Sequence, residues 1–172
     1  MPPNADFPPI RRDLTLQLDD FDRHILDLLQ QNAARTADSL ANEIALSASA
    51  IQRRIKKLRE EGVIRREIAV VDAEKVGAGV TFIVGLQVEK ERQDLLHSLR
   101  RWCEREIWIQ QAYYVTGDVD FVLVVSTPDM AKFEALMQRL LRENPNVRRF
   151  DTNVAMSVLK QGLFVPVRHT AT

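Results

Sequence analysis

Two hydrophobic periods and one concentration of charge predict an α+β chain of two domains. A 3.6-residue period runs from Asp19 to about Glu61, and a two-residue period takes over from Val80. Between Arg53 and Arg66 seven basic residues stand against two acidic ones, in a chain whose formal net charge is zero. The first period predicts a small helical domain, the second a sheet backed by helices, and the charge marks one surface of the helical part.

Residues 1–16 hold four of the seven prolines and no sustained period, which predicts a flexible arm. Asp19 then caps a helix with Phe21, Ile25 and Leu28/Leu29 inward, running to about Gln31. After the polar break at Asn32 to Arg35, Thr36 caps a short helix with Leu40, Ala41 and Ile44 inward. Ser47 caps a third helix, which runs to about Glu61 and stops at Gly62. Its Ile51, Ile55 and Leu58 form the buried stripe, while Gln52, Arg53, Lys56 and Lys57 occupy the remaining surface. Two helices joined by a tight turn make a helix-turn-helix. The loose alternation of Val63 to Val71 predicts a following strand, hence a winged helix-turn-helix over 17–66 and a linker with strand over 67–79.

In the second part, Thr81 to Val88 predicts a strand, Gln93 to Glu104 a helix with Leu95, Leu99 and Trp102 inward, and Ile107 to Val115 a strand. Asp120 to Ser126 predicts a third strand. Thr127-Pro128 open a helix burying Phe133, Leu136, Met137, Leu140 and Leu141, and Val147 to Val158 predicts the last strand. The order βαββαβ is that of a ferredoxin-like domain, placed at 80–167 with a tail at 168–172. Its helices cover one face of the sheet, yet Phe121 to Val125 are apolar on both. Trp108, Ala112 and Tyr114 alternate onto one face of the neighbouring strand, Ile109, Tyr113 and Val115 onto the other. Several hundred Å² of apolar surface left wet would forgo many kcal/mol at about 25 cal/mol per Å². The expected remedy is a homodimer with the two sheets face to face; the linker or first domain is the other candidate cover.

Composition narrows the chemistry. Of 172 residues, 45% are hydrophobic and 28% charged, as in soluble globular proteins. No apolar run approaches the roughly 20 residues of a membrane span, and MPPNADFPPIRRD lacks a signal-peptide core, so a cytoplasmic location without membrane contact is expected. The single Cys103 has no partner for an internal disulfide, and His24, His97 and His169 are too scattered for a metal cluster. Cys103 and His97 do not share a helix face, and Asp118 with Asp120 lack further ligands. No catalytic residue, metal or cofactor is assigned.

A helix-turn-helix with its positive charge on the second helix of the pair predicts double-stranded DNA as partner. Ser47 and Ser49 lie at that helix's N-terminus, where free amides and the dipole favour a phosphate. Gln52 and Arg53 point away from the packed stripe and suit base edges, glutamine to adenine and arginine to guanine. Lys56 and Lys57 suit phosphates. Arg54, nearer the packed flank, is either a further DNA contact or structural. Arg11 and Arg12 in the arm are either extra contacts or part of a solvated tail.

The segments LDDFDRHILDLLQ, LANEIALSASAIQRRIKKLREEGVI, YYVTGDVDFVLVV and the late VLK occur in an order and spacing that resembles the Lrp/AsnC family of feast/famine regulators, over about residues 17–167. The resemblance implies a DNA-binding regulator with a C-terminal domain of the RAM/ACT type that senses an amino acid and builds dimers, often octamers. It also implies that Thr116, Gly117, Asp118 and Asp120 line an effector pocket between subunits, with Thr152 a further candidate; the residues alone describe a hairpin turn before a pocket. The family's turn glycine is Ala45 here, which suggests a turn free of any positive-φ requirement. Two rivals follow from the same sequence. One is an architectural protein that compacts DNA with little sequence preference; the other is a sirohaem-decarboxylase-like enzyme, which the TGDVDF pattern disfavours.

Overall fold

The computed structural model describes residues 17–90 and 92–167, and the chain divides into two compact units. Arg11, Arg12, the arm and the tail lie outside the described residues.

The first unit is built on α1 (Asp20–Gln31), α2 (Ala37–Ala41) and α3 (Ala48–Glu60). Each starts at its expected cap: Asp19 in a reciprocal box with Asp22, Thr36 accepting from Ser39 N–H, Ser47 accepting from Ala50 N–H. Gly62, at φ +71°, ends α3 in a conformation that costs other residues more. Ile25, Leu28, Leu40, Ile44, Ile51, Ile55 and Leu58 form one buried core, each side chain worth about 1.5–3 kcal/mol on burial. Phe21 departs from expectation. It is 39% exposed, because a guanidinium rather than the core takes its ring.

Two further differences concern the chain after α3. Val63 and Ile64 pack on the helical core, but residues 65–71 form no strand, and Ile68, Val70 and Val71 are exposed. An extended segment needs a neighbouring strand to exchange hydrogen bonds with, and none of the described residues pairs with it as a strand. At the other end, residues 160–167 belong to the helical unit, which corrects the 80–167 boundary. The Gln30 amide accepts from Val165 N–H at 2.7 Å and donates to Val165 C=O at 2.9 Å, and Arg23 donates to Val167 C=O at 2.9 Å. One glutamine thus satisfies both main-chain groups of a residue that has no ladder.

The second unit is an antiparallel sheet of β1 (Val80–Val88), β2 (Ile109–Tyr114), β3 (Phe121–Thr127) and β4 (Val147–Val154) in the order β2-β3-β1-β4, with α4 (Gln93–Arg105) and α5 (Met130–Glu143). Phe82, Val84, Leu86, Phe121, Leu123 and Val125 are buried, and Phe82 stacks on Phe133 of α5 at 3.9 Å between ring centres. Residues between them, such as Ile83, Val122 and Val124, face the side away from the helices and stay partly exposed. Three expectations shift here. Leu96 and Cys103 join Leu99 and Trp102 in the core while Leu95 is half-buried, and Leu141 is 38% exposed. A bulge between Ile109 and Gln111 places Ile109 opposite Val125, on the face of Ala112 and Tyr114 rather than with Tyr113. Burial pushes the Cys103 thiol up to about 12, leaving it no nucleophilic character at neutral pH.

Both tryptophans, Trp102 and Trp108, sit in the sheet unit and report on it selectively. Phe82→Ala removes a fully buried stacked ring and is expected to cost that unit about 3–5 kcal/mol, read as an earlier fluorescence transition in urea. A shift below about 1 kcal/mol would contradict the assigned core.

Candidate nucleic-acid interface and effector loop

The α3 surface is sorted by partners. Arg54, 30% exposed, donates to Asp19 and to Asp22 at 2.7 Å each and lies 5.6 Å over the Phe21 ring. The hydrogen bond to Asp22 contributes most to raising its pKa above the ordinary arginine value, against partial burial. Of the two roles open to Arg54, these contacts support the structural one. It fastens α3 to the start of α1, and DNA would have to displace two carboxylates to reach it. Asp19 shows the reverse balance: burial raises its pKa, but the Asp22 N–H and Arg54 outweigh this and hold it below the ordinary 3.8. A second clamp, also unforeseen, joins Arg35 to Glu43 and to Ser39 across α2, and the Arg35 hydrogen bond lowers the Glu43 pKa. No non-glycine residue takes a positive φ among the described residues, so Ala45 serves where the resemblance expected glycine.

Outward and exposed on α3 are Gln52, Arg53, Lys56 and Lys57, with Ser49 before them and Arg59, paired with Glu67, and Glu60 after. Lys56 and Lys57 approach Glu60 and Glu61 one turn on, at 3.7 Å each. Such exposed pairs, with lysine N-terminal to glutamate, are worth a few tenths of a kcal/mol and give way easily to phosphates. Among the described residues no ion pair engages Arg53, Arg65 or Arg66. Ser47 and Ser49 share a hydroxyl contact at 3.1 Å at the α3 N-terminus while Ser47 caps Ala50. Both stay exposed.

The β2–β3 loop is bolted to β1. Gly117, at φ +126°, makes the turn. Asp120 N–H donates to Leu86 C=O at 2.8 Å, and the Asp120 carboxylate accepts from Val88 N–H at 2.7 Å. The Gln87 side chain donates to Asp118 C=O at 2.8 Å. Val119 lies over Gly85: a Cβ there would meet Val119 Cγ1 at 2.9 Å, closer than real contacts allow. Thr116, Gly117 and Asp118 are exposed. Asp120 is therefore occupied by the main chain, leaving Asp118 as the outward carboxylate. Thr152 does not join this loop. It pairs with Val84 on β4, two strands from the loop, and lies in a groove beside Met130, Phe133 and Phe150.

A helix-turn-helix unit with an exposed cationic helix, followed by a four-stranded sheet domain, is the architecture of a ligand-responsive transcription regulator, and known proteins agree. Residues 18–65 match the family described as winged helix-turn-helix DNA-binding, and residues 81–163 match the Lrp/AsnC ligand binding domain. An HTH-type transcriptional regulator of Sinorhizobium fredii is 36% identical over 92% of this chain and 94% of its own length. The glutamate uptake regulatory protein of Zymomonas mobilis is 31% identical over 90% and 94%. Among solved structures, an AsnC family transcriptional regulator from Agrobacterium tumefaciens superposes with TM-score 0.81 at 31% identity, covering 87% of this chain and 97% of that one. A Neisseria meningitidis regulator in complex with L-Met shares the fold at TM-score 0.80 and 24% identity, over 88% and 98%. The chain belongs to the Lrp/AsnC family of DNA-binding transcriptional regulators. No helix of the described residues is long and apolar enough to cross a membrane.

Two outcomes follow from this geometry. Arg54→Ala should cost the helical unit about 0.5–1.5 kcal/mol, since the half-exposed Asp19 regains water, measured by circular dichroism. Because the Asp19 pKa is depressed on folding, its contribution is complete above 3.8 and is lost as pH falls through the lower folded value, so the variant should show a shallower acid-induced loss of helix. An identical acid profile would contradict the clamp. Gly85→Val should dislodge Val119 and loosen the loop, read as faster amide exchange at Val88 and Asp120; unchanged protection there would remove Gly85 from its support.

Proposed function

We propose that this chain works as a homodimer or a higher assembly such as an octamer, reads DNA half-sites with the outward face of α3, and is tuned by an amino acid held at the β2–β3 loop. The observation that carries the DNA part is the division of α3 into a clamped flank, where Arg54 is spent on Asp19 and Asp22, and a free flank of Gln52 and Arg53. Gln52 and Arg53 are assigned to base edges. Lys56, Lys57 and the Ser47/Ser49 end of the helix are assigned to phosphates, which set register without reading sequence.

Support for dimerisation comes from the sheet face turned away from α4 and α5, where Ile83, Tyr113, Val122 and Val124 keep exposed area that a second sheet would cover. Two copies would then read half-sites about 34 Å apart or a multiple of it. For the effector, Asp118 faces outward and suits an α-ammonium group, Gly117 permits close main-chain approach, and the exposed Thr116 offers a hydroxyl beside them. The relative named for glutamate uptake and the L-Met complex of the Neisseria regulator support the amino-acid class. An effector changes DNA binding only through different affinities for two assembly states, so ligand and assembly must be coupled reciprocally.

Arg53→Ala should weaken binding to a specific site by about 1–3 kcal/mol and leave binding to random duplex nearly unchanged, measured by fluorescence anisotropy at fixed salt. Equal losses on both duplexes would favour the architectural reading. In a thermal-shift screen of the twenty amino acids, at least one should raise the melting temperature. Asp118→Asn should abolish that shift without altering the melting temperature of the free protein. A retained shift would move the effector elsewhere.

A further inference from the structure

We propose that the sheet domain carries a second, sequence-independent contact to the DNA backbone, on a row of cations along α5 and the end of α4. A cleft of about 480 Å³ opens between residues 105–108 and α5, and four of the side chains lining it are cationic: Arg105, Lys132, Arg139 and Arg142. Glu106 is the one carboxylate among them. Its side chain is 9% exposed and turned to Arg139, whose guanidinium also lies 5.8 Å over the Trp102 ring, so this pair is internal to the domain.

The other cations are held ready rather than neutralised. Arg105 donates through Nε to Arg101 C=O at 3.2 Å, which leaves its remaining N–H groups for an outside acceptor. Lys132 Nζ stands 5.5 Å from the Trp108 ring centre. Arg142, 71% exposed, touches Glu143 only at 3.7 Å, and the other Glu143 oxygen already accepts from Trp102 Nε1 at 2.9 Å. Glu134 on the same helix lines the groove with Met137 and Phe150 and not this cleft.

Spacing decides between a small anion and a polymer of phosphates. Lys132 and Arg142 are ten residues apart on one helix, about 15 Å along its axis, with Arg139 between them. A small ligand is recognised by a few polar groups converging inside a mostly apolar pocket. Here the charges are strung out and wet. A DNA strand carries a phosphate at every base step, so a row of this length meets more than one phosphate where a small anion meets one, and exposed cations suit contacts driven by counterion release rather than by desolvation. The cleft begins where Trp108 enters β2, whereas the effector loop follows Tyr114 at the other end of that strand, about 20 Å away at strand rise. A phosphate contact at the cleft leaves the effector loop free. Together with α3, it would let one protomer hold DNA at two separated places.

The inference rests on the DNA-binding activity of the family, and the test separates the two. In the full-length protein, Lys132→Gln with Arg142→Gln should weaken binding to specific and random duplexes by the same factor. It should also make the slope of log K against log salt shallower by about 1–2, near 0.9 for each phosphate no longer neutralised. Sedimentation velocity should show the same assembly as wild type, and the charge-preserving pair Lys132→Arg with Arg142→Lys should keep the wild-type slope. An unchanged slope in the glutamine variant overturns the proposal. So does an unchanged slope accompanied by a melting-temperature rise with pyrophosphate in the wild type alone, which would make the cleft a small-anion site. If Arg53→Ala left specific binding unchanged while the glutamine pair made the slope shallower, the α3 assignment and not this one would have failed.

Discussion

The constraint on which the DNA-binding half depends is that α3 must bury one flank and keep another free. Ile51, Ile55 and Leu58 fix its rotation, because turning the helix would expose side chains that are 8% accessible or less. That rotation alone leaves Arg54 at the border. The Asp19 and Asp22 carboxylates settle it by drawing the guanidinium toward α1, and Asp19 is at once the cap of α1 and a partner of Arg54. One carboxylate therefore starts one helix and sets the angular limit of another's free face. Gln52 and Arg53 are available because Arg54 is not.

A comparable economy holds the β2–β3 loop. A carboxylate at position 120 would suggest a ligand contact, yet Val88 N–H, just beyond the last β1–β3 ladder pair, needs an acceptor and takes it. With Gln87 on the Asp118 carbonyl and Val119 seated over Gly85, the loop is fixed from three sides. Rigidity of this kind lowers the ordering cost a ligand must meet on binding. It also gives a ligand at Asp118 a mechanical route into β1, which lies between β3 and β4 at the centre of the sheet.

Much of this was legible in the residues because the signals were local. Asp19, Thr36 and Ser47 start helices through hydrogen bonds to residues three positions on, and a periodic stripe reports which helix side is buried. What escaped depends on partners distant in the chain. The Gln30 grip on Val165 spans 135 residues, and nothing in a run such as GLFVPV announces it. The Arg54 clamp spans 32 and 35 residues, so its choice between DNA and α1 could not be made from charge alone. The bulge at Gln110 breaks strict alternation without a glycine or proline to mark it, and Ile109 changes face because of it. The distance of Thr152 from the loop was hidden for a related reason: strand order, which separates the two within one protomer by β1, is a property of the whole sheet.

Net charge hides how this chain spends its cations. Its 24 basic and 24 acidic residues cancel, but several acidic ones fix arginines in place: Asp19 and Asp22 hold Arg54, Glu43 holds Arg35, Glu106 holds Arg139. Each such pair removes a cation from the surface field while orienting an element that presents another. Arg54 is fixed where Arg53 is free, and Arg139 is fixed between Lys132 and Arg142. A neutral chain can thus bind a polyanion strongly, since phosphates respond to charge within a Debye length of about 8–10 Å and not to the total. The same reasoning sets a condition on any effector. A ligand that alters DNA affinity need not touch a single DNA-facing cation; it has only to change how these pre-sorted surfaces are spaced from one protomer to the next.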